Sequence, residues 1–304
     1  KPVRLILKAR FDEMAFAHDG GVPQSYELEI GLPTPAQAAF SIEPLIKEER
    51  LTVHLGGRDV VMMERTGPAV TLRNDEGKRE VHNNAVLPSE TALAAFRDAA
   101  RYPELEAMRR ELLDWRLYHD FRTDAASPIR QPCHAITTPT LSTDGADLAA
   151  VLSTLSVIRQ DTVDLDAAVD DAFPGAALSA GDDGSLCRFE MEYPDIPRPF
   201  GAHELSDGTL KYLCLLGALM GYRLPAFIAF NEPEASLHPK LIAPLARLIA
   251  AAAHHTQIWI VTHSDELADA LEEETGKRPR RVVKNDGATG IEGLSLLGEF
   301  REEK

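Results

Sequence analysis

The rhythm of hydrophobic and polar positions changes twice along the chain. Over the first eighty-odd residues, "VRLILKARF", "SYELEIGL", "RLTVHLGG", "DVVMMERTG" and "AVTLRNDEGK" alternate or run apolar, with Gly-containing turns between them. This spacing predicts a meander of antiparallel strands. From about Pro88 the texture becomes helical. "SETALAAFRDAARYPELEAMRRELLDWRLYHDF" is rich in Ala, Leu, Glu and Arg, and Pro103 divides it into two helices. A Pro-punctuated loop, "SPIRQPCHAITTP", comes next. "DGADLAAVLSTLSVIRQ" and "DLDAAVDDAFPG" read as two further helices, each opened by Asp, and "SLCRFEMEY" as a short strand. The pattern divides the chain into a β region at 1–85, a helical subdomain at 86–180 and a core at 181–304.

The last third carries the strongest pattern. "ELSDGTLKYLCLLGALMGY" is a turn feeding a long apolar helix, and "AFIAF" is a buried strand. "KLIAPLARLIAAAAHH" is a helix with Leu245, Leu248, Ile249 and Ala252 on one face, expected to restart or kink near Pro244. "TQIWIVTHS" is a second buried strand. Two apolar strands joined by a helix make a βαβ unit, hence an α/β fold with a parallel sheet covered on both faces.

Composition narrows the class. The chain has 304 residues, 44% of them hydrophobic, and a formal net charge of −16. That charge argues against a uniformly basic surface, though not against a local basic groove. Cys133, Cys187 and Cys214 form no C-x-x-C pair and read as reduced, packed thiols of a cytoplasmic protein. The most apolar stretch, Tyr212 to Phe230, is broken by Arg223 and Pro225, so no membrane span is expected.

Ligands of parallel sheets sit beyond the carboxyl ends of the strands. Asn231 and Glu232 end one strand; Thr262, His263 and Ser264 end the other. An amide, a carboxylate and an imidazole are thereby expected on one edge. The plain alternative is a helix-capping Asn, an exposed Glu and a surface His, and two matched strand ends weigh against it. "LSDG", residues 205–208, stands directly before a helix. Ser206 or Asp207 can cap that helix, Gly208 permits close backbone approach, and the free N–H groups suit a phosphate.

The ordered set "LSDGT", strand plus "NEPE", "SLHP" and "VTHS" resembles the ABC-type ATPases of the RecF/SMC-like branch, more closely its stand-alone bacterial AAA-type members. "WRLYHDF", "SPIRQP", "LSTDGADLAAVLSTL" and "AFPG" are similar to that subgroup's middle region. The resemblance implies a P-loop NTPase core, ABC-ATPase-like, with an N-terminal antiparallel β region and a helical insertion. It implies ATP and Mg²⁺ as ligands, Glu232 as the carboxylate that polarises the attacking water and His263 as the switch that senses the γ-phosphate. Asn231 stands where the family's Asp helps hold Mg²⁺ through water, a departure that removes a charge. Ser236 to His238 match the loop that crosses to a partner subunit. Ser206, Asp207 and Gly208 match the signature that contacts ATP bound to the other copy, which requires a homodimer of heads.

A phosphate loop, G-x-x-x-x-G-K-[ST], occurs nowhere in the chain. Gly77-Lys78 is followed by Arg79 and has Leu72 in place of the first Gly. The chain opens on Lys1 rather than Met, and the expectation is a phosphate loop upstream of it, leaving 1–304 inactive alone. DNA repair, recombination or phage defence are expected by analogy, with DNA or a nuclease as possible partners. The alternative is a non-hydrolysing, ATP-gated scaffold. "KRPRR" at Lys277 to Arg281 and Arg109-Arg110 read as solvated helix ends and turns.

Overall fold

A computed structural model describes residues 4–12, 22–33, 42–158, 163–285 and 288–294. The chain divides into two compact units, Lys1–Trp115 and Arg116–Lys304.

The first unit is the expected meander. Strands β1 (Arg4–Phe11), β2 (Gln24–Gly31), β3 (Leu45–Leu55), β4 (Arg58–Thr66), β5 (Ala69–Arg73) and β6 (Arg79–Asn83) form one six-stranded antiparallel sheet in sequence order. Two helices come after it, α1 (Ala92–Ala95) and α2 (Pro103–Asp114). Leu51, Met63, Val70 and Leu72 from the sheet pack with Leu105 and Met108 of α2 as a separate core. Inside it sits a buried charge. Glu49 accepts the Tyr26 hydroxyl at 2.8 Å and the N–H groups of Ala92 and Leu93 at 2.6 and 3.0 Å. Arg65, 3.9 Å away, donates to the carbonyls of Gly67, Leu87 and Glu90. Each charged group is thus met by hydrogen bonds, the condition under which burial is tolerated.

The helical stretch from Pro88 departs from its expected form. The first helix is a single turn because Phe96 turns extended, and Asp98 accepts the N–H of Arg101 at 3.1 Å, a local turn that competes with helix. Pro103 begins α2, where its missing N–H is harmless. "RLY" is not helix but a strand, β7 (Arg116–Tyr118), since its pairing with a buried neighbour overrides helical composition.

The second unit continues with β8 (Cys133–His134), α3 (Leu148–Ile158), α4 (Val163–Ala172), β9 (Ala177–Asp182), β10 (Leu186–Glu192) and β11 (Phe200–Gly201). It ends with α5 (Asp207–Met220), β12 (Phe227–Asn231), α6 (Ile242–Ala252), β13 (Gln257–Val261), α7 (Asp265–Thr275), β14 (Val282–Asn285) and β15 (Ala288–Ile291). Strands β8 to β11 make an antiparallel sheet around β10, and β14 pairs β15. Pro244 falls in the first turn of α6, after a 3₁₀ turn at Pro239–Leu241, so the helix restarts as expected. The predicted helix end at Arg159-Gln160 lies outside the described residues. Cys133 and Cys187, distant in sequence, are register partners on β8 and β10, and both are free thiols whose pKa burial raises.

The third sheet positions the site. Its order is β13-β12-β7, all parallel, with Ala229 between Trp259 and Leu117. On one face Ile228 and Phe230 enter the core, and Tyr118 stacks on Phe230 with ring centroids 5.2 Å apart. Helix α5 is buried from Leu210 to Leu219. At Gly217 a Cβ would lie 2.9 Å from Leu148 of α3, which is why glycine stands at that crossing. The expectation of a sheet covered on both faces is not met among the described residues. Leu117 and Trp259 on the other face are 61% and 60% exposed. No described helix is long and apolar enough to cross a membrane.

Removing the Glu49 carboxylate strands a buried guanidinium. Glu49→Ala is expected to lower unfolding stability by about 3–5 kcal/mol in urea titration. A change below about 1 kcal/mol contradicts the role given to this cluster.

Candidate functional site

Parallel pairing brings two strand ends together. Asn231 is the register partner of Val261. One residue on, the N–H of Glu232 still donates to the carbonyl of Val261 at 2.7 Å, yet its φ of 46° lies in the left-handed region. That turn swings the carboxylate toward β13, where His263 Nε2 stands 3.7 Å from Glu232 Oε1. The structure therefore brings Asn231, Glu232 and His263 to one rim. The Glu232 side chain is 43% exposed and His263 82%, so the carboxylate is partly shielded while the imidazole is open to solvent. A 3.7 Å approach is wider than a hydrogen bond, so the two groups stand as near neighbours on the rim without a bond between them.

The "LSDG" turn is a helix cap. Ser206 Oγ accepts the Thr209 N–H at 3.1 Å and lies 2.8 Å from the Thr209 hydroxyl. Asp207 opens α5, and Ser206 and Asp207 are exposed. A Cβ on Gly208 would meet the Ser236 carbonyl oxygen at 3.0 Å, so this glycine lets the turn lie against the loop after β12. Ser236 has a φ of 66° and is exposed. His238 caps the 3₁₀ turn, its Nδ1 accepting the Lys240 N–H at 3.1 Å. Among the described residues, no hydrogen bond or ion pair joins Ser206, Asp207 or His238 to Glu232 or His263. The candidate residues thus form two groups, a rim at the strand ends and a cap-and-loop pair beside α5.

Residues passed over in the sequence hold both groups in place. Arg130, with its side chain 10% exposed, donates Nη1 to the carbonyls of Ala202, His203 and Leu205 at 3.2, 3.2 and 2.8 Å. Its Nη2 reaches Asp207 Oδ1 at 2.7 Å. One guanidinium thus shapes the whole approach to Ser206, using the planar fork that lysine lacks. Lys211, buried one turn into α5, has Nζ 3.6 Å from Asp120 Oδ1. Lys211, Asp120, His119 and Asn231 border one small pocket at the ends of β7 and β12. Glu234 accepts the Thr262 hydroxyl across the two strand ends. Arg130 was visible in the sequence as the one charge of "SPIRQP", and Glu234 as the second carboxylate of "NEPE".

The family described as "AAA domain, putative AbiEii toxin, Type IV TA system" matches residues 61–269, well over half of the chain and inclusive of every candidate residue. The chain belongs to this AAA-domain family. It is accordingly an AAA-type ATPase domain of α/β fold, with parallel and antiparallel sheets. No curated protein matches it. Among solved structures it is similar to an Smc head bound to the C-winged helix domain of ScpA, at 13% identity and a TM-score of 0.44, over 93% of this chain and 78% of that one. It is also similar to the SMC head domain from Thermotoga maritima, at 13% identity and a TM-score of 0.36, over 92% and 77%.

Within this AAA domain the buried and the exposed ends of the Arg130 bridge carry different weight. Arg130→Ala is expected to destabilise the fold by about 2–3 kcal/mol, since the part-buried bonds to the Ala202 and Leu205 carbonyls are lost. Asp207→Ala, at the solvent end, is expected to change stability by less than about 1 kcal/mol. Urea midpoints of the two variants check this, and equal losses contradict it.

Proposed function

We propose that this chain supplies the hydrolytic and signature half of an ATPase head, with the nucleotide sandwiched between two copies. The observation that carries the reading is the placement of Glu232 and His263, from adjacent parallel strands, 3.7 Å apart on the carboxyl rim of the sheet. In this role Glu232 Oε orients the attacking water and accepts its proton. His263, beside it on the same rim, donates to a γ-phosphate oxygen as charge grows there. The exposure of both side chains supports a site that is closed by another surface. The Ser206 turn of a second copy fits that need, being exposed, helix-capping and stiffened by Arg130. Ser236 and His238 lie on the loop beside it and are read as the contact between copies.

Mg²⁺ fits this donor set only as an ion held chiefly by nucleotide phosphates and water. No described group of three or more His, Cys, Asp or Glu side chains is arranged to hold a metal. The Asn231 amide oxygen can accept a hydrogen bond from a metal-bound water, with less hold than a carboxylate. Bound there, the ion neutralises phosphate charge.

The phosphates themselves need a cradle of backbone N–H groups that no segment of 1–304 provides in sequence, so the reading requires one from another polypeptide segment. DNA repair, recombination or phage defence are the settings proposed for such a head, with DNA or a nuclease as partner. The toxin–antitoxin reference in the family description supports the last of these settings. A non-hydrolysing, ATP-gated scaffold is the second reading. It is favoured by the amide at Asn231, which lacks the charge of a carboxylate.

Two measurements check the proposal. Calorimetric titration of 1–304 with Mg-ATP is expected to give no saturable heat, and tight binding contradicts the missing cradle. With the phosphate-binding segment present, Glu232→Gln is expected to lower phosphate release about 100-fold or more while ATP still binds. Unaltered release removes Glu232 from the chemistry, and no release from the unsubstituted protein selects the scaffold.

A further inference from the structure

The turn after β12 is tied to the turn after β13 by a side chain that the hydrolytic reading leaves idle. Thr262 donates its hydroxyl to Glu234 Oε1. The same Thr262 oxygen accepts the N–H of Ser264 at 2.9 Å, and Ser264 Oγ accepts the N–H of Leu267 at 3.2 Å. A continuous run of hydrogen bonds therefore passes from Glu234, beyond β12, to the first turn of α7. His263 lies between Thr262 and Ser264, so the run brackets it on both sides.

The partner group is held under strain. Glu232 is a non-glycine residue at φ 46°, a conformation that costs of order 1–3 kcal/mol and persists only where surroundings over-determine it. Two backbone bonds contribute, Glu232 N–H to Val261 O and Ala235 N–H to Glu232 O at 3.0 Å. Both belong to the turn that Glu234 anchors. Meanwhile Glu234 Oε2 is buried without a hydrogen-bond partner in the structure. An unpartnered carboxylate oxygen there costs stability, which leaves the bond of Oε1 to Thr262 as the interaction that holds the side chain in place.

We propose that Glu234 is a positioning residue: by accepting the Thr262 hydroxyl it latches the two strand-end turns together and fixes the spacing of Glu232 and His263. This rests on the reading that those two residues act on ATP. The latch itself is a property of the nucleotide-free chain, so it is tested without hydrolysis.

Amide hydrogen exchange at Glu232 and Ser264 reads the latch directly. Glu234→Ala and Thr262→Val are each expected to speed exchange at both amides about tenfold, and the double variant no further than the faster single one. Glu234→Gln and Thr262→Ser keep an acceptor and a donor, and are expected to exchange as the parent does. Should Glu234→Ala fail to fold, the Thr262→Val and Thr262→Ser pair carries the same comparison. Unchanged exchange at Glu232 in the Ala and Val variants overturns the latch, as does a double variant in which the two effects multiply. In the hydrolysing protein, Glu234→Ala is expected to lower kcat and leave the KM for ATP unchanged. A raised KM with unchanged kcat overturns the positioning role. A Glu232→Gln protein of full activity instead overturns the ATPase reading and leaves the exchange result standing.

Discussion

The parallel pairing of β12 with β13 is the constraint on which the rest of the second unit depends. Parallel strands need a crossover, and α6 provides it, packing Leu245 and Ile249 into the core. Once Ile228 is opposite Ile258 and Phe230 opposite Ile260, the register admits one arrangement of the strand ends. Asn231 must lie beside Val261, and both strands leave the sheet on the same side. A slip of one residue would turn Ile228 and Phe230 out of the core and carry Glu232 away from His263. The stack of Tyr118 on Phe230 and the burial of α5 under the same face hold that register.

At the rim, the polar residues serve the fold and the proposed chemistry together. Ser206 and Ser264 cap helices, and His238 caps a 3₁₀ turn. A capping role is therefore real at these positions, and it is also what aims the neighbouring groups. Glu232 is different. Its backbone is in the left-handed region, and its side chain has the His263 imidazole 3.7 Å away. Groups held in unfavourable backbone geometry with exposed polar atoms are where local folding rules give way to function. Lys211 borders the pocket beside Asn231 and stands on α5, the helix that Ser206 caps and whose first residue, Asp207, is held by Arg130.

Much of this was legible from the residues. Alternation and glycine turns foretold five strands of the meander but not β6, and two apolar runs around an amphipathic helix foretold β12-α6-β13. Local chemistry outweighed composition where the reading failed. "RLY" sits in a helix-rich segment but pairs with Ile228, Ala229 and Phe230, a partner more than a hundred residues away that no window of sequence contains. The helix expected after Thr91 stops at Phe96 because Asp98 bonds its own turn. The facing of Cys133 and Cys187 depends on a two-residue strand too short to leave a pattern. At the site, the residue types and the shared edge were visible. The left-handed turn at Glu232, its solvent exposure and the Glu234–Thr262 bond were not, because they arise from the meeting of two turns.

The most direct test of the account is complementation between two defective copies. On a site shared head to tail, Ser206→Arg spoils the turn a chain offers its partner, and Glu232→Gln spoils the chain's own water-orienting group. With the phosphate-binding segment present, each variant alone is expected to release phosphate about 100-fold or more slowly than the parent. Mixed in equal amounts, they are expected to recover hydrolysis, because a mixed pair places an intact Glu232 opposite an intact Ser206. A mixture as inactive as its components, with mixed pairs shown to form, contradicts the shared site.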